Sequence, residues 1–326
     1  MGCVQLKALK ILARRLAFGA VAAWGVLTAV FLAFTVTGDW LAERIEGQIR
    51  HAMGGPDPED QEVVQEEIEE ALAEFAAARD LDRPLYEQYF DWMGNMVTFQ
   101  WGASLETGEA VFPLVMDATL RTATYVVPAV ALAVVVGMLV GIYVALNPRS
   151  RLANGGRVGS YVLFAVPSFW LGGLYIGGLR GGVFEYNPVL SEYVLPVVLV
   201  TMTLLGGYVS YSRAHALEQA SAEFVTLVRA KGAGPVLLAK HVVRNAAIPL
   251  FSMLFTEALG LLVLGIFVIE MVFGIEGFGY VFFFALEARD IPVLLGGTMV
   301  IIAVGIVGNI VQDISYQYLD PRVEDS

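Results

Sequence analysis

Long apolar runs alternate with shorter polar, often basic, stretches along this 326-residue chain. A membrane-spanning helix needs about 20 mostly apolar residues. Six runs qualify: residues 16–36, and stretches near 119–146, 158–179, 193–211, 248–273 and 292–316. Pro128, Pro167 and Pro196 fall inside them, as spanning helices tolerate. Between the first two runs the pattern changes. Val64, Ile68, Leu72 and Phe75 recur at helical spacing, with Glu62, Glu66, Glu67, Glu69, Glu70 and Glu74 on the other faces. That spacing predicts an amphipathic helix. A second is predicted after Pro84, where Leu85, Tyr89, Trp92, Met93 and Met96 form one apolar stripe. Tyr86, Phe90, Phe99 and Trp101 add the aromatic character of a membrane–water boundary. This segment reads equally as a platform for an external protein and as a hairpin packed on the spans.

Composition agrees with a polytopic, all-α membrane protein. The chain is 57% hydrophobic and only 16% charged, where soluble domains are nearer a quarter charged. Charge then orients it. Short cytoplasmic loops are rich in Lys and Arg. Lys7, Lys10, Arg14 and Arg15 precede the first run. Arg149, Arg151 and Arg157 separate the second from the third, and Arg213, Arg229, Lys231, Lys240 and Arg244 separate the fourth from the fifth. Six alternating spans put all three groups on one side, with both termini cytoplasmic. The segment 39–117 is then outside, as are the connections near 181–192 and 274–291. That external segment holds 19 Asp/Glu against four Arg, a net −15 in a chain whose total is −12. Lysine is scarce, at four residues against sixteen Arg. An acidic, lysine-poor exterior suits high salt, where charge repulsion is screened within a few Å, so a halophilic source is expected.

Several classes are excluded. One cysteine, Cys3, allows neither an internal disulfide framework nor a cysteine metal cluster. His51, His215 and His241 are too scattered for a metal site, and no phosphate-cradling G-x-x-x-x-G-K-[ST] loop occurs. No cofactor or nucleic-acid site is expected. If ATP drives the protein, another subunit binds it. The first apolar run is longer than a signal-peptide core and has no small-x-small site before Asp39-Trp40, so a retained span is expected. Met1-Gly2-Cys3 lacks the Ser/Thr at position 6 that myristoylation needs.

The loop 220–249, ASAEFVTLVRAKGAGPVLLAKHVVRNAAIP, is unusually organised for a connection. Phe224, Leu227 and Val228 fall at i, i+3 and i+4 and give a short helix one apolar edge, with Arg229 and Lys231 beside it. Gly232-Ala233-Gly234 breaks it, since glycine takes positive φ without strain. Pro235 suits the first turn of a second helix, on which Lys240 and Arg244 stand four apart with His241 between. Such a surface docks into an acidic partner groove or anchors on lipid phosphates.

In residue types and spacing this loop closely resembles the cytoplasmic coupling loop of permease subunits in dipeptide/oligopeptide ABC importers. The string Glu223, Ala230-Lys231-Gly232, then His241, Arg244, Asn245, Ile248 and Pro249 carries the resemblance. It extends to Leu81-Asp82-Arg83-Pro84-Leu85 with Gln88, Tyr89 and Trp92, and to Gly102, Ser104 and residues 107–109. Further on it covers Asn147-Pro148, Arg151, residues 166–170, Glu270-Met271-Val272-Phe273, Gly277-Phe278-Gly279, Asp290-Ile291-Pro292 and residues 319–322. One departure stands out. Where such permeases usually have a Gly-Asp-Leu-Gly-type step, this chain has Phe99-Gln100-Trp101-Gly102.

The resemblance implies six transmembrane helices in the MetI-like permease fold, with an external helical segment between the first and second. It divides the chain into 1–38, an acidic external segment 39–118, and a five-helix core 119–326 with the coupling loop at 213–247. It implies half of a translocation pathway for dipeptides, oligopeptides or related small solutes. The implied partners are a second homologous permease, two ATP-binding ATPase subunits and an extracytoplasmic solute-binding protein. The ATPase-coupling residues would be Glu223, Phe224, Leu227, Val228, Arg229, Ala230, Lys231, Gly232, His241 and Arg244.

Charged groups at membrane depth face the bundle interior or water. Glu257 and Glu270 are the candidate pathway residues. Glu257 is read either as an acid meeting a peptide's amino group or as a carboxyl paired to another helix. Glu270 lies near the outer end of its run, where it is expected to act as a structural hydrogen-bond acceptor. Arg121 opens the second run and can snorkel. Asn309 and Asp313 lie toward the inner end of the sixth. An ion- or proton-coupled secondary transporter is the alternative, and it would show repeats and broken helices with ion ligands at mid-membrane. A membrane enzyme would need a convergent acid, base and nucleophile set, which the scattered histidines do not offer.

Overall fold

The computed structural model describes residues 2–36, 47, 61–78, 83–221 and 266–319. The chain divides into two compact units, Met1–Gln100 and Trp101–Ser326.

The first unit contains α1 (Gly2–Val36), α2 (Gln61–Ala78) and α3 (Leu85–Val97). α1 carries an apolar stretch, Leu16–Ala33, long enough to cross a membrane. α2 coincides with the glutamate-rich amphipathic pattern. α3 starts where Pro84 fixes the backbone, and the Pro84 carbonyl accepts from the amides of Glu87 and Gln88. Its predicted apolar stripe is a packing face. Tyr89 meets Phe31 of α1 edge-on at 5.3 Å between ring centroids, and Trp92 lies 5.4 Å from the same ring. The hydroxyls of Tyr89 and Thr28 are 2.7 Å apart. α3 ends at a tight turn in which Phe99 has φ 61°. This is the position where the resembled permeases start their Gly-Asp-Leu-Gly-type step, so a bulky side chain occupies left-handed backbone that glycine fills without strain.

The second unit opens with a loop closed by a single bridge between Ala103 and Ala110. Then follow α4 (Val111–Leu146), α5 (Arg151–Ala165), α6 (Ser168–Arg180), a π-helical turn at Leu190–Val194 running into α7 (Leu195–Ser221), α8 (Ile266–Phe273), α9 (Phe278–Glu287) and α10 (Ile291–Leu319). α4 begins eight residues before the predicted apolar run and has 36 residues. At 1.5 Å per residue that is about 54 Å, against roughly 30 Å of hydrocarbon, so it projects beyond the bilayer.

The third predicted run is a bent pair. α5 and α6 meet at 72°. Pro167 has no N–H and disfavours helical backbone in Val166, which is extended at φ −85° and ψ 119°. The connection expected at 274–291 is also corrected. It contains α9, set at 92° to α8. Gly274 ends α8 with φ 69°, and the Ile275 amide returns to the Glu270 carbonyl at 2.9 Å. The run Phe278–Glu287 is apolar enough to stay helical. Among the described residues, four helices are long and apolar enough to span, and counting each bent pair as one span gives six.

α4 and α7 form the centre of this unit. Tyr125, Ala129 and Ala133 pack with Leu199, Val200, Leu204 and Tyr208, joined by Ile266 and Ile269 of α8. The Thr201 hydroxyl donates across the seam to the Ala129 carbonyl at 3.2 Å. Gly137 and Gly141, one turn apart, let the backbones touch. A Cβ on Gly137 would lie 2.5 Å from the Tyr208 Cβ, and one on Gly141 would lie 2.6 Å from the Ser212 Cβ and 2.7 Å from the Val209 carbonyl. Lipid offers no hydrophobic drive for helix pairing, so close backbone approach through small residues supplies the attraction. Leu132, Val135 and Leu139 of α4 are exposed, as side chains facing acyl chains are.

Candidate functional site

Glu270 sits in the eight-residue helix α8, whose other members are all apolar. Its side chain is fully buried. A carboxylate in that setting must find donors, and three converge on it. The hydroxyls of Thr122 (2.5 Å) and Tyr125 (2.7 Å), both on α4, donate to Oε1. The backbone amide of Tyr280 on α9 donates to Oε2 at 2.7 Å. Thr122 is itself held by the Phe278 amide, which donates to its Oγ1 at 2.7 Å. One side chain therefore ties both arms of the bent pair to α4. Gly277 completes the node, because a Cβ there would sit inside the Glu270 carboxylate.

A second buried node holds the start of α10. Asp290 precedes the helix, and its Oδ1 accepts from the Val293 amide at 3.5 Å, as an N-cap does. Its Oδ2 accepts from the Ser104 hydroxyl at 2.5 Å and from the Glu106 amide at 3.3 Å. The Ser104 Oγ also accepts from the Thr107 amide at 2.9 Å. The loop before α4 is thereby fixed to α10.

Near these nodes a cavity of about 370 Å³ lies between α4, the start of the α7 span and the break of the bent pair. Arg121 and Glu276 form an ion pair on its wall, Nη1 to Oε2, 3.2 Å. The Tyr186 hydroxyl donates to Glu192 Oε1 at 2.8 Å, and that bond pushes the Tyr186 pKa up.

Of the residues singled out in the sequence, Glu223, Phe224, Leu227, Val228, Arg229, Ala230, Lys231, Gly232, His241, Arg244 and Glu257 lie outside the described residues. Glu270 and Arg121 are described and are brought into neighbouring clusters on α4. Thr122, Tyr125 and Tyr280 went unnamed in the sequence, and Gly277 was named there only as part of a motif, not as a neighbour of Glu270. A lone carboxylate in an apolar octet signals that buried donors must exist, but not which ones: Thr122 is 148 positions away.

The family described as binding-protein-dependent transport system inner membrane component matches residues 137–325. The chain is 29% identical over 270 residues to the oligopeptide transport system permease protein AppB of Bacillus subtilis, covering 77% of this chain and 84% of that one. It is 30% identical over 257 residues to the dipeptide transport system permease protein DppB of Lactococcus lactis, covering 76% and 83%. It is 26% identical over 284 residues to the metal-staphylopine import system permease protein CntB of Staphylococcus aureus, covering 85% and 87%.

Proposed function

Because the chain belongs to the family of binding-protein-dependent transport system inner membrane components, we propose that it forms half of the translocation pathway of an importer for dipeptides, oligopeptides or related small solutes. The observation that carries the solute class is the likeness, over three quarters of the chain, to an oligopeptide and a dipeptide permease. The partners we assign are a second homologous permease, two ATPase subunits and an extracytoplasmic solute-binding protein. Both termini and the loop 213–247 lie in the cytoplasm on this reading, which rests on the Lys/Arg bias of the short loops.

The division of labour follows from chemistry. The chain has no phosphate-cradling loop, so motion must arrive from the ATPase subunits. A short helix seated in a partner's cleft transmits rigid-body movement, because packed surfaces switch between discrete arrangements rather than deform smoothly. Phe224, Leu227 and Val228, at i, i+3 and i+4 in the sequence, would supply the apolar edge of that helix, and Gly232 would end it. Glu270 and Asp290, at the opposite face, would hold the bent pair and α10 as rigid pieces that such a movement displaces together.

The test is uptake by the complete importer in proteoliposomes. Import requires ATP and persists when an ionophore collapses ion gradients. Import that survives ATP depletion and stops with the ionophore would establish ion coupling instead. For the loop, Gly232→Val and Phe224→Asp each reduce co-purification of the ATPase subunits and abolish uptake while the subunit still inserts. Normal co-purification and uptake in both would make the loop an anchor.

A further inference from the structure

The cavity beside Arg121 has a composition that the transport reading does not by itself explain. Its charged groups come from three separate spans. Arg121 opens the apolar part of α4, Glu192 lies in the π-helical turn that opens the α7 span, and Glu276 stands in the break between α8 and α9. Charged groups avoid acyl chains, so the opening that these three line faces water. On the orientation proposed above, that water is on the outer side.

The Arg121–Glu276 pair is poorly protected. It is joined through one nitrogen at 3.2 Å, with side chains 59% and 67% exposed. Pairs of this kind are held weakly and exchange readily. Glu192 is held at the rim by the Tyr186 hydroxyl. Tyr193 and Phe273 add aromatic surface to the same cavity, and 370 Å³ is within the range of small-molecule sites.

We propose that this cavity is a receiving site for zwitterionic solutes with a free ammonium and a free carboxylate, such as short peptides, at the outer mouth of the pathway. The proposal rests on the peptide-import reading and locates a subsite within it. The solute's carboxylate takes Arg121, its ammonium takes Glu276 and Glu192, and the Arg121–Glu276 pair opens as both ends are replaced in kind. One guanidinium against two carboxylates gives a rim of net charge −1, which disfavours a lipid phosphate and favours a ligand that brings its own cation. The aromatic walls accept side chains without selecting among them, as a site serving many sequences requires.

The direct test uses the assembled importer without its binding protein. Thr124, on the cavity wall, is replaced (Thr124→Cys) in a Cys3→Ser background, and its reaction with an impermeant maleimide is timed. Millimolar trialanine slows labelling several-fold, N-acetyl-trialanine amide does not, and Arg121→Gln removes the protection. Equal protection by both compounds, or by neither, overturns the proposal.

Uptake of trialanine delivered by the binding protein is the second arm. It falls about tenfold in Arg121→Gln, and the exchange Arg121→Glu with Glu276→Arg does not restore it. Restoration by the exchange would make the pair a structural clasp and overturn the site. A defect confined to vesicles containing anionic lipid would assign Arg121 to headgroups and equally overturn it. If the unsubstituted importer takes up no trialanine, peptide import fails as a function and the site fails with it. Normal uptake in every variant removes the site alone.

Discussion

Replacing Glu270 tests whether one buried carboxylate holds the bent pair to α4. Glu270→Ala removes the acceptor of three donors: two hydroxyls and the Tyr280 amide. A buried unsatisfied polar group costs about 1–3 kcal/mol. The two hydroxyls can turn toward other acceptors, but the backbone amide cannot. With the void left by the side chain, a loss of about 4 kcal/mol is expected. Glu270→Gln behaves differently. Its carbonyl can accept from Tyr280, and its amide can donate to the two hydroxyls, which then serve as acceptors. That rearrangement costs about 1 kcal/mol. At roughly 2–4 °C per kcal/mol, the alanine variant melts about 10 °C below the native protein and the glutamine variant within about 4 °C. The assay is thermal unfolding of the purified subunit in detergent, followed by size-exclusion. An alanine variant melting within about 2 °C of native would show that the node contributes nothing. A glutamine variant as damaged as alanine would show that charge, not hydrogen-bond count, is what the site needs.

Three further outcomes are expected. Gly141→Leu forces α4 and α7 apart and destabilises the subunit by about 3 kcal/mol or more in the same melt, whereas Gly155→Ala, whose Cβ would meet nothing within 4 Å, is neutral or slightly stabilising; equal effects would refute the seam. Phe99→Gly relieves left-handed strain and raises stability by about 1 kcal/mol, and a lower melting temperature would show that contacts of the ring outweigh the strain. Single cysteines at Glu67 and Ala233 in a Cys3→Ser background are labelled by an impermeant thiol reagent from opposite faces of the membrane, and same-face labelling would overturn the six-span orientation.

The spans and the two amphipathic helices of the first unit were legible because their signals are local. A run of about 20 apolar residues or an i, i+4 stripe declares itself within one window. The bends were not read, although Pro167 and Gly274 were visible, because a proline or glycine in a span is tolerated straight as often as it turns the chain. α9 was missed because its ten residues fall short of the roughly 20 that mark a span, so they were left in the connection between two runs. Glu270 was legible as a residue that needs donors. Thr122 and Tyr125 were not, since a threonine and a tyrosine in an apolar helix read equally well as packing. The cavity beside Arg121 was illegible for the same reason: Arg121, Glu192 and Glu276 lie in three segments that only folding assembles.

The glycine seam also has a consequence for how the protein is made. Thr201 and Ala129 meet across 72 positions of chain, and α5 and α6 must be synthesised between them. At about 5–20 residues per second, α4 waits roughly 4–14 s before α7 exists. During that interval Gly137 and Gly141 present a bare backbone stripe to the bilayer, able to accept any small-faced helix that drifts by. The bent pair emerging next arrives first and has glycines of its own at 155, 156 and 159, but in the finished fold Gly156 lies against Val140 and Val144 of α4 and leaves Gly137 and Gly141 to α7. Correct assembly therefore depends on α7 displacing whatever arrives earlier, so a lesion at Tyr208 or Ser212 would be felt in the ribosome-bound chain before it is felt in the finished transporter.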